Sequence, residues 1–318
     1  MPIDFSPKWL ELEESLGYRP LLPATISQMR SALAEGGPQP NYPGAIPENV
    51  EKFDKIIQTP NNNRLRLRIY IPKDLKQPLP MGYYTHGGGM CLNAFEPDDH
   101  LVASISSALP AIMVQVDYRL APEHPWPAQF QDAYDGFLWT VEHATEFGAH
   151  KDSIFVTGDS AGGNLAASIA LKDRDVGNHF VKGQVLLQPL VVNEDFLPEE
   201  RKSLFTSYDQ LGLETAFVNS DTIKLFWKSY KPKDGRLDPY IFPYLHNSHK
   251  DLPPAFITYN GADVLRDHGK RYAELLSQNG NKVETKAYPG FPHCWFLFLI
   301  DYEQFFNDYI GGIKTVLS

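Results

Sequence analysis

The stretch that most restricts this chain is Val156-Thr157-Gly158-Asp159-Ser160-Ala161-Gly162-Gly163-Asn164-Leu165. A β-branched and apolar run, Ile154 to Thr157, stops at Gly158. A helical pattern then opens at Gly163 and continues through Ala166, Ala167, Ile169, Ala170 and Leu171. Between strand and helix sits Gly-x-Ser-x-Gly. Small residues two before and two after the serine let the backbone turn sharply and let neighbouring segments pack close. The serine is thereby lifted above its strand end, over the positive end of the helix dipole. Three fixed positions in five residues say little alone; the strand–turn–helix setting makes them a candidate nucleophile elbow.

Acyl-transfer chemistry also needs N–H donors aimed at an oxygen that becomes negative in the tetrahedral intermediate. Tyr83-Tyr84-Thr85-His86-Gly87-Gly88-Gly89 reads as a strand running into three glycines. Gly88 and Gly89, with the N–H of Ala161 just after the serine, are the candidate oxyanion donors. Neither Gly-x-Gly-x-x-Gly nor Gly-x-x-x-x-Gly-Lys-Ser/Thr occurs in this stretch, which argues against a nucleotide site. Further on, Pro254 to Gly261 reads as a strand that delivers Asp263, and alternating Val283, Thr285 and Ala287 as a last strand that delivers His293. Ligands of open α/β sheets bind at the carboxyl ends of the strands. Ser160, Asp263 and His293 each follow a predicted strand, so all three converge on one edge. Ser160 is the expected nucleophile, His293 its base and Asp263 the group that orients the imidazole. Asp267, a turn further into the next helix, is the alternative acid.

The remaining chain reads as an α/β protein with insertions. Proline punctuates residues 1 to about 50, leaving two short helices, Pro7 to Leu16 and Ala24 to Ala34, that must lie on the main body. Arg64 to Ile71 alternates strictly, as expected of an edge or antiparallel strand with its three arginines on a solvated face. Ala111 to Val116 and Gly183 to Val192 read as buried strands. The proline-bearing Asp117 to Pro127 is an ordered loop in which His124 has a structural role, followed by a helix from Gln129 to His143. Residues from about Asn193 to Lys233 break the βα rhythm and are rich in aromatics, including Phe205 and Phe217, with helices expected at Glu214–Val218 and Thr222–Tyr230. That stretch suggests a cap over an apolar pocket. A helix from Gly269 to Ser277 and an amphipathic C-terminal helix through Phe305, Tyr309, Ile313 and Val316 complete the reading. The expected division is 1–50 as an N-terminal cap segment, 51–192 and 234–318 as the two parts of the core, and 193–233 as the cap insertion.

A net charge of −10 over 318 residues, with no basic tract, argues against nucleic acid as a partner. Two cysteines, Cys91 and Cys294, make neither a disulfide framework nor a thiolate metal site, and they read as small apolar packing residues. His246 and His249, at i and i+3, lack a carboxylate cluster, so no metal is expected there. No apolar run approaches a membrane span, and Met1 to Pro20 lacks a signal-peptide pattern. The expectation is a cytoplasmic protein acting on a small-molecule ester, with homodimerisation left open.

Together, His86-Gly87-Gly88-Gly89, Asp117 to Pro125, Gly158-Asp159-Ser160-Ala161-Gly162-Gly163, Asp263 and His293 resemble the hormone-sensitive-lipase-like branch of the α/β-hydrolases. The resemblance spans roughly residues 60 to 300. It implies a carboxylesterase that uses neither metal nor cofactor, prefers short to medium acyl chains, and carries a cap built from the N-terminal segment and the insertion. Three departures from the family pattern stand out: Met90, where an aromatic usually follows the triple glycine; Asn93, where glycine is usual; and Cys294-Trp295, where Gly-Phe is usual. They place Met90 and Trp295, with Asp159, Phe205 and Phe217, among the expected pocket residues. The alternatives are acyl transfer, a lyase or cyclisation step in fungal secondary metabolism, and a non-catalytic receptor. The presence of His293 argues against a receptor.

Overall fold

The computed structural model describes residues 3–35, 45–73, 78–232 and 238–318. Residues 36–44, within the expected N-terminal cap segment, and residue 233, the expected end of the insertion, lie outside the described residues. The strands are β1 (Val50–Gln58), β2 (Arg64–Pro72), β3 (Leu79–Thr85), β4 (Ile112–Asp117), β5 (Ala149–Asp159), β6 (Val181–Leu187), β7 (Ala255–Asn260) and β8 (Val283–Tyr288). They form one sheet in the order β1-β2-β4-β3-β5-β6-β7-β8. β2 pairs antiparallel with β1 and with β4, and every other neighbour pair is parallel. The helices are α1 (Pro7–Leu16), α2 (Ile26–Ala34), α3 (Asp99–Ala108), α4 (Ala128–His143), α5 (Ala161–Asp175), α6 (Glu199–Lys202), α7 (Ser207–Leu211), α8 (Ser220–Tyr230), α9 (Arg266–Gln278) and α10 (Tyr302–Val316). Among the described residues no helix is long and apolar enough to cross a membrane.

Side chains on successive strand residues point to opposite faces, so a strand buried on both sides reads as a continuous apolar run. Ile112, Val114 and Val116 of β4, Ile154 and Val156 of β5, and Ile257 of β7 pack in one core with Phe137 and Val141 of α4 and Leu165, Ile169 and Leu171 of α5. Met113, Phe155 and Phe256, from the same strands, pack in the other with Leu101, Val102 and Ile105 of α3 and Phe305, Tyr309 and Ile313 of α10. Each buried aliphatic or aromatic side chain there is worth about 1.5–3 kcal/mol relative to exposure. The two helical layers thus hold the strand ends, and the loops that leave them, in fixed relation.

Four expectations are corrected. Of the three arginines of β2, Arg64 is exposed as expected, but Arg66 and Arg68 do not lie on a solvated face. Arg66 donates to Asp117 (3.0 Å) and Glu96 (2.8 Å), while Arg68 grips Asp54 of β1 (2.6 and 2.9 Å) and Asp99 of α3 (2.9 Å). Both guanidinium groups also lie over the Phe95 ring, at 4.3 and 4.6 Å. The carboxylates come from segments whose approach no periodicity reveals. The expected helix at Glu214–Val218 is absent; Phe217 instead bridges Leu21, with Leu22 N–H donating to the Phe217 carbonyl (3.0 Å) and Phe217 N–H to that of Pro20 (2.7 Å). β6 stops at Leu187 rather than Val192, because Gln188 takes a positive φ of 38° and Pro189 has no N–H to donate. β1 and α3 were not foreseen; along β1 only Val50 and Ile57 are buried, so it shows no alternation.

β3 leaves the sheet at His86, which is fully buried and stacked on Tyr118 with ring centroids 4.2 Å apart. Its Nδ1–H donates to the Gly87 carbonyl (2.7 Å) and its Nε2 has no partner. Burial pushes the His86 pKa down from 6.5 to about 4, so the folded protein holds the ring neutral.

Two outcomes follow from these contacts. Arg68→Met, which removes the buried cation that joins Asp54 to Asp99, should cost about 3 kcal/mol in urea unfolding. A loss below about 1 kcal/mol would show that the network contributes little. For His86 the folded pKa lies below the unfolded one, so its contribution is fully present above 6.5 and is lost as pH falls towards about 4. Urea melts should lose up to about 3 kcal/mol over that window from this group, and His86→Gln should flatten the slope. Identical slopes for the two proteins would contradict the assignment.

Candidate active site

The turn between β5 and α5 is built by close backbone approach. Ser160 has φ 51° and ψ −114°, a conformation outside the favoured regions for a residue with a side chain. Its N–H donates to the Leu187 carbonyl at the end of β6 (2.8 Å), and its carbonyl accepts from Leu190 (3.0 Å) and Asn164 (3.1 Å). A Cβ on Gly162 would stand 1.9 Å from the Thr85 carbonyl oxygen, and one on Gly158 2.4 Å from the same atom. Only hydrogen fits at either position. The Thr85 hydroxyl donates to the Gly162 carbonyl (2.7 Å), which locks β3 to the turn.

Asp263 follows β7 and His293 follows β8, as read from the sequence. Asp263 is fully buried and His293 is 2 % exposed. His293 Nδ1 and Asp263 Oδ2 are 2.7 Å apart, so the imidazole N–H donates to the carboxylate. The other Asp263 oxygen accepts from Leu265 N–H (2.8 Å). Asn260, the last residue of β7, donates to Gln188 Oε1 (2.5 Å) and the Pro292 carbonyl (3.1 Å), tying the histidine loop to β6 and β7. Asp267 faces elsewhere: its Oδ2 accepts from the N–H groups of Thr206 (2.7 Å) and Ser207 (2.8 Å), holding the start of α7.

Ser160 and His293 line one cavity of about 90 Å³, together with Gly88, Gly89, Asp159, Phe217 and Cys294. The glycines are in left-handed conformations, with φ 105° for Gly88 and 61° for Gly89. Ala161, as the first residue of α5, has no carbonyl four residues back within its helix. Phe205 and Met90 lie instead on a larger cavity of about 580 Å³, which shares Gly89 and Phe226 with the first. Trp295, expected at the pocket, lines neither; it stacks on Phe291 at 4.2 Å and packs edge-on to Phe305 in the core, and the preceding Cys294 faces the cavity. The left-handed turn at Cys294, φ 51°, swings the tryptophan away.

Asp98 and Tyr84 contribute with no functional signature in the sequence, and Phe226 is marked there only as one of the aromatics of the insertion. Asp98, just before α3, lines the smaller cavity beside Asp159. The Tyr84 hydroxyl donates to Asp98 Oδ2 (2.8 Å) and lies 3.3 Å from Asp159 Oδ1. Burial pushes both carboxyls up from the ordinary carboxylate range, and the Asp159 charge raises Asp98 further. Burial likewise raises the Cys294 thiol well above its usual value, so it stays protonated as a small packing group. Phe226 presses on the glycine loop, since a Cβ on Gly89 would lie 2.2 Å from its ring. An amphipathic α8 marks Phe226 as inward; only the tertiary fold says what it meets. Among the described residues no group of three His, Cys, Asp or Glu side chains is placed to hold a metal ion.

The family model for the α/β-hydrolase fold matches residues 83–297. The chain is 34% identical to carboxylesterase NlhH of Mycobacterium tuberculosis, over 80% of this chain and 76% of that one. It is 29% identical to the versiconal hemiacetal acetate esterase of Dothistroma septosporum, over 100% of this chain and 97% of that one. The solved structure of vibralactone cyclase superposes with a TM-score of 0.89 at 26% identity, covering 100% of this chain and 98% of that one. A serine at a strand–helix elbow beside a buried histidine–aspartate pair, on a sheet of this order, agrees with those likenesses: the chain belongs to the α/β-hydrolase family, in its hormone-sensitive-lipase-like branch, and is a carboxylic ester hydrolase.

Proposed function

We propose that this enzyme is a serine esterase that cleaves short- to medium-chain esters through Ser160, His293 and Asp263. The observation that carries the reading is the buried 2.7 Å contact between His293 and Asp263 on the wall of the cavity that also holds Ser160. Ser160 Oγ attacks the ester carbonyl while His293 Nε2 takes its proton. The Asp263 carboxylate accepts the Nδ1–H bond, fixes the tautomer and stabilises the imidazolium. Collapse of the tetrahedral intermediate releases the alcohol, which leaves with the proton from His293. Water, deprotonated by the same nitrogen, then hydrolyses the acyl-enzyme. The N–H groups of Gly88, Gly89 and Ala161 receive the oxyanion in both halves of the reaction. Residues 1–50 and 193–233 act as the cap in this reading, supported by the backbone pairing of Leu21 with Phe217.

A second reading, cyclisation within a bound acyl compound, has support in the likeness to vibralactone cyclase. It keeps His293 as base and differs in which nucleophile resolves the substrate.

Release of p-nitrophenol from a ladder of C2 to C12 esters tests the first reading. Ser160→Ala and Asp263→Asn should each lower kcat/KM by about 10⁴-fold or more, and Asp267→Asn by far less. Comparable losses for Asp263→Asn and Asp267→Asn would refute the placement of the acid. Folded wild-type protein that cleaves no rung would sink the esterase reading and leave the cyclisation one. Gly88→Val, whose Cβ would lie 2.6 Å from the Leu92 carbonyl oxygen, should abolish turnover; wild-type rates would refute this oxyanion site.

A further inference from the structure

The larger cavity has a chemistry that an alkyl ester does not use. At about 580 Å³ it falls within the range of small-molecule sites, and Phe226, Trp227 and Phe242 form much of its wall. The rings of Trp227 and Phe242 are 4.8 Å apart, and the Phe205 ring stands edge-on to His268 at 5.5 Å. Among these flat faces lie polar atoms with no hydrogen-bond partner. Both ring nitrogens of His268, which is 1 % exposed, are unbonded, as are Glu194 Oε1 and Asn164 Oδ1. Nearly all buried polar groups in folded proteins are paired, so several unpaired ones in one cavity call for a partner. His268 Nε2 lies 3.5 Å from Glu194 Oε1, too far for a good hydrogen bond. Asn164 already donates both through its amide, to the carbonyls of Leu190 (2.7 Å) and Ile241 (3.1 Å), so only its acceptor is unused.

The unused set is therefore two acceptors, Glu194 and Asn164, an imidazole that donates at one nitrogen and accepts at the other, and the Tyr230 hydroxyl, which lines the same cavity. A hydroxyl satisfies such a set, because it donates to a carboxylate or amide oxygen while accepting from the imidazole N–H. The aromatic walls suit a planar body carrying it. We propose that this cavity is a specificity subsite for a hydroxylated aromatic ring on the arm of the ester remote from the reacting carbonyl, selected by His268, Glu194 and Asn164. The cavity meets the candidate active site at Gly89 and Phe226, so an ester held at Ser160 extends past the Phe226 ring into it. The proposal rests on the serine-esterase reading.

The test compares kcat/KM for matched esters that differ by one phenolic hydroxyl. One pair is p-nitrophenyl 3-phenylpropanoate and p-nitrophenyl 3-(4-hydroxyphenyl)propanoate. The other is 2-phenylethyl acetate and 2-(4-hydroxyphenyl)ethyl acetate. In at least one pair the wild type should favour the hydroxylated ester by about tenfold or more, as sites built to bond a substrate hydroxyl do. His268→Phe and, at a partly exposed position, Glu194→Leu should bring that ratio towards one, and His268→Gln should keep part of it. A wild-type ratio below about two in both pairs, with p-nitrophenyl acetate still cleaved, overturns the subsite and leaves the esterase reading standing. A wild-type preference that survives both His268→Phe and Glu194→Leu overturns the assignment to these residues. Loss of p-nitrophenyl acetate cleavage in the wild type itself would overturn both readings.

Discussion

Everything at the candidate site hangs on one backbone contact, the Thr85 carbonyl oxygen lying where the Cβ atoms of Gly158 and Gly162 would otherwise be. That contact brings the end of β3 against the turn between β5 and α5. It places the glycine run that leaves β3 beside the serine that immediately precedes α5. A methyl group at either glycine would push the two segments apart by more than side-chain adjustment can absorb, since the obstacle is backbone. The strained φ of Ser160 is held by the same arrangement, its N–H donating to the Leu187 carbonyl and its carbonyl accepting from the Leu190 N–H. Strain of this kind persists only where surrounding structure over-determines it, and here two core layers do so.

Beneath the glycine loop is a buried polar layer. His86 stacks on Tyr118, whose hydroxyl donates to the His86 carbonyl (2.7 Å), and Tyr84 joins Asp98 to Asp159. Gly87 lies so close to Asp159 that a Cβ there would be 2.2 Å from the carboxylate. These groups are away from water, so their proton affinities are displaced: the imidazole is kept neutral and the two acids are raised. A low-dielectric surround makes each of their hydrogen bonds more directional and each missing one more costly. The loop that faces the reacting oxygen therefore rests on a polar base rather than on an apolar one.

The two cavities divide the work differently. The smaller holds Ser160 and His293 and is partly walled by Leu22 and Phe217, from segments nearly two hundred positions apart in the chain that meet by backbone pairing. The larger takes its aromatic wall from α8 and its neighbours, with Phe226 standing at the join. Asp267, whose carboxylate holds the start of α7, couples the helix after β7 to the inserted segment. The acid that precedes it by one helical turn is thereby left to the histidine.

Local pattern was enough to determine strands β3 to β8 and helices α4, α5, α8, α9 and α10, the strand-end positions of Ser160, Asp263 and His293, and the first helix, Pro7–Leu16, to the residue. Those features are written in short-range terms: apolar period, glycine at sharp turns and proline at helix starts. What depends on segments meeting across the fold was not legible. The arginines of β2 alternate as a solvated face would, yet Arg66 and Arg68 are paired with Asp54, Asp99, Asp117 and Glu96 from other elements. Glu214–Val218 carries helix-compatible residues, but Phe217 within it pairs through its backbone with Pro20 and Leu22 of the N-terminal chain. Trp295 is two residues from the histidine in sequence and turned away from the cavity in space. Asp98, Phe226 and His268 have no motif, because a pocket wall is made of whichever side chains the packing of distant segments brings there, and that is decided by the tertiary structure alone.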